Sequence, residues 1–348
     1  MRVLVDGYWW ADGPISNRQV QREIIRHWVD LFDDELTMVV PHKALAGIDA
    51  PPGVTCVGTR LWPHGIASIV DYPRIARRVG ADVAVVHNFT PWTGRSAVFV
   101  HDVMFQTNPE WFTLPERAYL ALVPWTLGRA DVVATSSQHE AERIAAHNRG
   151  IAPVVPIGLA VGTELASATP TRPAGVDVDE YVLSVGRLNV RKNLGRLFTA
   201  AARSGAITPT RPLLVVGEPE GARADLGPDV RDAVTSGAIR FLGRVDDGEL
   251  AWLYGHAALF VYLSLDEGFG LPPVEALSFG SPVLAADIPV MRENLGPSAA
   301  YVDPYDVDAI AAALQAPPVT PAFVAPDWAD VTRRLRAAVV SALAPQLA

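Results

Sequence analysis

The chain has 348 residues, 49% of them hydrophobic and 19% charged, a balance that fits packed cores and excludes general disorder. At roughly 100–200 residues per domain, that length implies two domains. Lys and Arg number 29 against 38 Asp and Glu, and the formal charge of −9 excludes the basic face of a nucleic-acid binder and leaves at most peripheral membrane contact.

The N-terminus, Met1-Arg2-Val3-Leu4-Val5-Asp6, reads as a strand rather than a leader peptide. Buried strands follow at 37–40, 82–86, 97–100 and 131–135, with helices at 18–31, 72–79, 115–127 and 138–147 between them. These strands are apolar without alternation, as a parallel sheet covered on both faces demands. Cys56, the only cysteine, excludes an intrachain disulfide, and its apolar run 54–57 predicts a buried core thiol. Gly158, Gly162, Pro170, Pro173 and Gly175 then mark a linker. Beyond it the alternation resumes, with strands at 181–185, 213–216, 239–242, 258–262 and 282–286 and helices at 193–203 and 248–254. The proline-rich stretch 317–326 precedes a closing helix expected to dock back on the first domain. The expected boundaries are 1–160, a linker over 161–179, 180–326, and the closing segment 327–348. Both halves read as α/β doubly wound domains whose ligands bind at the carboxyl edges of their strands. No apolar run approaches the length of a spanning helix, so a cytoplasmic protein is expected, with peripheral contact at the inner membrane face left open.

The densest signal is Ser264-Leu265-Asp266-Glu267-Gly268-Phe269-Gly270-Leu271-Pro272-Pro273-Val274-Glu275-Ala276-Leu277. A strand, a loop with two glycines and a proline-opened helix make an anion site. Glu267 and Glu275 bracket it; they either serve a nucleotide, as an acidic side chain holds ribose hydroxyls, or merely complement the helix dipole. The segment Val185-Gly186-Arg187-Leu188-Asn189-Val190-Arg191-Lys192-Asn193 brings Arg187 and Lys192 to another strand end, where Arg offers phosphate a fork and Lys a point charge. A solvated basic turn is the alternative for that pair alone.

Together these segments resemble the retaining GT-B glycosyltransferases of family 4, whose second domain carries a Gly-Arg…Lys segment and an E-x7-E motif. The similarity runs from Tyr181 to about Leu314 and includes Phe241-Leu242-Gly243-Arg244-Val245 and Gly280-Ser281-Pro282. It implies two Rossmann-like domains facing a central cleft, with hinge closure through 156–179. It further implies that Arg187 and Lys192 contact the donor diphosphate, that Glu275 holds the nucleoside ribose, and that Glu267, Gly268, Phe269, Gly270 and Leu271 lie at the donor sugar and phosphate. Arg244 and Val245 would lie near the base. In the first half, Val100-His101-Asp102-Val103 resembles the family's strand-terminal His-Asp pair, with His101 facing the reacting sugar, and Ala134-Thr135-Ser136-Ser137 a later strand-to-helix turn. Where relatives have paired glycines after the first strand, this chain has Asp12-Gly13-Pro14-Ile15-Ser16-Asn17-Arg18, leaving Gly13 to supply the turn.

Asp177-Val178-Asp179 and Asp306-Val307-Asp308 fit a metal-binding DxD pattern, but one falls in the linker and the other opens a helix. Both read as solvated or capping aspartates, and eight scattered histidines give no ligand cluster, so no metal site and no cofactor beyond the donor are expected. Arg74, Arg77 and Arg78 form a basic helix face, read as solvated. Seven of the nine tryptophans precede the linker, most of them read as packing. Trp9, Trp10 and Trp92 follow strands and suit stacking on a saccharide or aglycone acceptor. The expected activity is transfer of a hexose, mannose or a related deoxyhexose, from a nucleoside diphosphate sugar with retention, GDP-mannose being the first choice of donor. The alternatives are a UDP-sugar donor, a nucleotide-sugar epimerase or glycosyl phosphorylase of the same fold, and a non-catalytic nucleotide-sugar-binding partner. A nicotinamide dehydrogenase is disfavoured because no G-x-G-x-x-G follows either first strand.

Overall fold

Runs of Val, Leu, Ala and Phe become strands where helices cover both of their faces, and the chain forms two such layered sheets. In the computed structural model, residues 1–217, 228–316 and 321–344 are described. The ends of the proline-rich stretch and of the closing segment, 317–320 and 345–348, lie outside the described residues. The chain divides into unit 1, Met1–Gly162 with Pro326–Ala348, and unit 2, Thr163–Ala325.

Unit 1 holds β1 (Arg2–Asp6), β2 (Glu35–Pro41), β3 (Thr55–Thr59), β4 (Val83–His87), β5 (Ser96–Val100), β6 (Val132–Thr135) and β7 (Val154–Pro156). Among the described residues they form one sheet in the order β3-β2-β1-β4-β5-β6-β7, every pairing parallel. The interior strands β4, β5 and β6 are buried at every residue. The edge strands β3 and β7 are only half-buried. Cys56 lies on edge strand β3 and is half-buried, not the core thiol expected. The closing helix Trp328–Leu343 packs on Ile15–Leu31, where Arg336 Nε donates to Asp34 at 2.7 Å and Trp328 Nε1 to the Val161 carbonyl at 2.9 Å.

Unit 2 holds β8 (Val182–Val185), β9 (Leu213–Val216), β10 (Ile239–Gly243), β11 (Leu259–Tyr262), β12 (Val283–Ala286) and β13 (Ala300–Val302). They form a second parallel sheet in the order β10-β9-β8-β11-β12-β13. In both orders the strands run outward on either side of the first strand, the doubly wound arrangement. Most of the expected linker is structured within unit 2. From Thr163 onward it folds with that unit: Thr171 N donates to the Gly248 carbonyl at 3.0 Å, and the Arg172 guanidinium lies 5.1 Å over Trp252. Turn-forming residues there bind a neighbouring helix instead of spanning a gap. Among the described residues, no helix is long and apolar enough to cross a membrane.

Candidate functional site

β8 ends at Val185, and Gly186 turns the chain into the 3₁₀ turn Val190–Lys192, capped by the Asn189 side chain. A Cβ on Gly186 would stand 3.3 Å from the Lys192 side chain, which therefore runs beside a bare backbone. The turn points two successive cations at one carboxylate. Lys192 Nζ donates to Glu267 Oε1 at 2.7 Å, and Arg191 Nη1 lies 2.5 Å from Glu267 Oε2. Tyr262, ending β11, donates its hydroxyl to Glu267 Oε1 at 2.8 Å and accepts from Lys192. Burial alone would raise the Glu267 pKa, but Lys192 and Arg191 outweigh it and hold the carboxyl well below the usual range. Burial brings Lys192 down to about 8, with Glu267 opposing and the Arg191 and Arg187 charges adding to the fall.

After Glu267 the loop closes on Gly270, whose φ of +86° strains any residue with a Cβ and favours glycine. Asn294 Nδ2 fixes the loop by donating to the Phe269 carbonyl at 2.7 Å. The helix Leu271–Ser278 starts here with Pro272 and Pro273 in its first turn, so the positive end of its dipole lies beside the Glu267 cluster in sequence and on the same sheet edge. Glu275 is the fifth helical residue, one turn deeper than a helix-start carboxylate. It is buried, accepts from the Tyr254 hydroxyl at 2.9 Å, and is pushed up to about 7 by that burial, with Asp247 adding to the rise. Its depth argues against a mere complement to the dipole. Arg187 stands exposed after β8, and Arg244 and Val245 follow β10, all at this carboxyl edge.

The remaining candidates belong to unit 1. Gly13, at φ +135°, lies in the loop after β1, where a Cβ would meet the Trp9 indole at 2.6 Å. His101 follows β5 and shares a hydrogen bond between its Nε2 and His87 Nδ1 at 3.2 Å. Burial lowers both imidazoles, His87 to about 4, so the pair is neutral near pH 7. Beneath them Asp6, ending β1, accepts from His64 Nε2 at 2.7 Å, the Tyr72 hydroxyl at 2.8 Å and the His87 amide at 3.2 Å. Burial opposes its ionisation, yet His64 and the hydrogen bonds bring its pKa to about 2.

Thus Lys192, Glu267 and the loop 268–271 come together in unit 2 as one cluster, while Gly13 and His101 sit on the edge of another sheet. Sequence reasoning gave no role to Arg191, Tyr262 or Tyr254, nor to Asp6, His64 and His87. A signal for two of them existed: Asp6 and His87, like His101, are polar residues terminating or following apolar strands. The tryptophans divide differently from the expectation. Trp9 does lie near His101, with ring centroids 6.2 Å apart. Trp10 is buried, its Nε1 donating to the Asp49 carbonyl at 2.9 Å, and Trp92 is exposed against Trp125. The two Asp-Val-Asp triplets are occupied locally: Asp177 pairs with Arg240 at 2.6 Å, Asp179 with Arg172 at 3.2 Å, and Asp306 caps the helix Val307–Gln315. Among the described residues, no three His, Cys, Asp or Glu side chains converge as metal ligands would.

Residues 173–316, nearly the whole of unit 2, match the family described as Glycosyl transferases group 1. Unit 2 is a group 1 glycosyltransferase domain. Over 133 residues, 38% of this chain and 35% of the relative, it is 39% identical to the O-antigen chain mannosyltransferase B of Escherichia coli. Over 151 residues, 39% of this chain and 36% of the relative, it is 33% identical to the GDP-mannose:cellobiosyl-diphosphopolyprenol alpha-mannosyltransferase of Komagataeibacter xylinus. These matches span about a third of the curated relatives' own length. Across both units the structure is similar to sucrose-phosphate synthase from Thermosynechococcus elongatus, with a TM-score of 0.66 at 18% identity, covering 97% of this chain and 94% of that one. The chain therefore has the GT-B fold.

Proposed function

We propose that this group 1 glycosyltransferase is a retaining mannosyltransferase that uses GDP-mannose and a saccharide or aglycone hydroxyl as acceptor, with no essential metal. The observation that carries the reading is the pair Arg191 and Lys192 held on one buried carboxylate beside the Gly270 helix start. Two cations that neutralise a carboxylate in the free enzyme suit the diphosphate of a donor, which offers more negative charge at the same place. As the sugar's anomeric bond breaks, charge develops on the leaving diphosphate, and Lys192, Arg191, Arg187 and the helix dipole stabilise it. Glu267, released from its cations, can then accept from donor sugar hydroxyls. Glu275 accepts from the ribose hydroxyls on the oxygen that Tyr254 leaves available. No side chain of unit 2 is needed as a nucleophile when the leaving phosphate takes the acceptor's proton on the same face, which yields retention. The relatives whose names specify mannosyl transfer favour mannose as the sugar. Titration calorimetry with GDP and UDP, followed by NMR of the product formed from GDP-mannose, tests the reading. Tighter GDP binding and an α-linked product are expected; UDP preference, or a β-linked product, overturns the donor or the stereochemistry respectively.

A further inference from the structure

Tyr254 lies in the helix Asp247–His256, which packs against the helix Leu271–Ser278 that carries Glu275. Its backbone is fixed on both sides: the Leu253 carbonyl accepts from the Tyr181 hydroxyl at 2.9 Å, and the Tyr254 carbonyl accepts from the Ser281 hydroxyl. Its ring stands edge-on to Phe260 of β11 at 5.5 Å and stacks on Phe279 at 5.9 Å. Phenylalanine would meet every one of these packing demands. What it lacks is the hydroxyl, which is buried and donates to Glu275 Oε2 at 2.9 Å. A buried hydroxyl costs free energy unless it is hydrogen-bonded, so its presence here is tied to that carboxylate.

Glu275 in turn depends on the hydroxyl. Glu267 is held by Lys192 and Arg191, whereas among the described residues the hydrogen-bond donor to Glu275 is a neutral phenol. Burial lifts the Glu275 carboxyl to about 7, Tyr254 opposes the rise, and Asp247 adds to it. Burial and the adjacent carboxylate hold the Tyr254 phenol well above its ordinary range, so it remains a donor through neutral pH. The other titratable groups on the elements packed against this helix are engaged elsewhere or exposed. Glu249 caps its own helix with Asp246, His256 stacks on Trp252, and Tyr262 donates to Glu267. Arg292 pairs with Asp287 at 2.8 Å, and Glu293 is exposed.

We propose that Tyr254 is a positioning residue for nucleotide binding: its hydroxyl fixes one oxygen of Glu275 and so leaves the other to the ribose hydroxyls. The role rests on the proposed contact between Glu275 and ribose. A phenol that donates to a carboxylate also stabilises the anion, and the anion accepts from ribose hydroxyls more strongly than the neutral acid does. Two tyrosines thus serve the two carboxylates of the loop and helix, Tyr262 beside the cations at Glu267 and Tyr254 alone at Glu275.

Titration calorimetry of the full chain with GDP and with UDP, from pH 6 to 9, tests the proposal. In Y254F the acidic limb of the affinity profile should move upward by about one pH unit, so that binding weakens about fivefold at pH 7 and less than twofold at pH 8.5. In the double variant Y254F/E275Q, binding should be no weaker than in E275Q alone, because the tyrosine acts through the carboxylate. Placing 3-fluorotyrosine at position 254, a stronger donor of nearly the same shape, should move the same limb downward, and this arm does not depend on the stability of Y254F. An acidic limb that stays in place in both altered proteins overturns the proposal, even if Y254F melts earlier, and so do losses that add in the double variant. Nucleotide binding by E275Q equal to wild type would overturn the ribose contact itself and this role with it, whereas failure of the Tyr254 arms alone leaves the ribose contact standing.

Discussion

Each unit buries a carboxylate at the carboxyl edge of its sheet, and the two are neutralised in opposite ways. Asp6 in unit 1 is surrounded by an imidazole, a phenol and backbone amides, groups that donate hydrogen bonds from fixed positions within the core. Glu267 in unit 2 is held by Lys192 and Arg191, long side chains that carry full charge and can turn to another anion. Asp6 accepts from neutral donors fixed in the core of unit 1, whereas Glu267 keeps company with cations whose preferred counter-ion can be a ligand. Burial and a depressed pKa alone do not distinguish structure from function. The nature of the partner does.

Removing an exchangeable partner separates the two carboxylates most clearly. Lys192→Ala should lower kcat by about 10²–10³, or about 3–4 kcal/mol of lost leaving-group stabilisation, while steady-state kinetics report a smaller change in donor KM. Near wild-type kcat would remove Lys192 from the chemistry. Asp6→Asn should act on the fold instead, costing about 2–3 kcal/mol in denaturant unfolding because a charged acceptor of several buried donors is lost, with GDP-mannose affinity unchanged. If nucleotide affinity falls as far as stability, the contrast between the two carboxylates fails. Glu275→Gln should weaken GDP-mannose binding by about 1.5 kcal/mol, roughly tenfold.

The same variant sharpens a pH prediction. Glu275 is raised to about 7, so donor affinity should fall as acid protonates it below that pH; Lys192 is lowered to about 8, so affinity should fall again as base neutralises it above. Calorimetry across this range should show a maximum between the two values, and Glu275→Gln should flatten only the acidic side. The smallest expected effect is none: EDTA should leave turnover unchanged, and loss of activity restored by Mn²⁺ would contradict the metal-free reading.

The interior of both sheets was legible because strands such as Val83–His87 and Leu259–Tyr262 are buried throughout and carry unbroken apolar runs. The edge strands Thr55–Thr59, Val154–Pro156 and Ala300–Val302 escaped because each is short or broken: Gly58 interrupts the first, Pro153 and Pro156 bracket the second, and the third has three residues. At the site, local sequence disclosed the glycine loop and its carboxylates, since a tight turn into a helix imposes its own residues. Spacing could not tell which of Arg187, Arg191 and Lys192 turns toward Glu267, because that depends on the Asn189 cap and the left-handed Asn193. The Asp6–His64 pair, 58 residues apart in the chain, leaves no local trace at all.

The closing helix has a consequence for the order in which the protein comes into being. Unit 2 is contiguous from Thr163 to Ala325, so all of its strands leave the ribosome together. Unit 1 is not: Asp34 meets Arg336 across 302 residues, and the flank of Ile15–Leu31 that receives Trp328–Leu343 stays bare until that helix emerges. At ordinary synthesis rates that delay is roughly 15–60 s. The half of the protein that is made first is the half that finishes folding last.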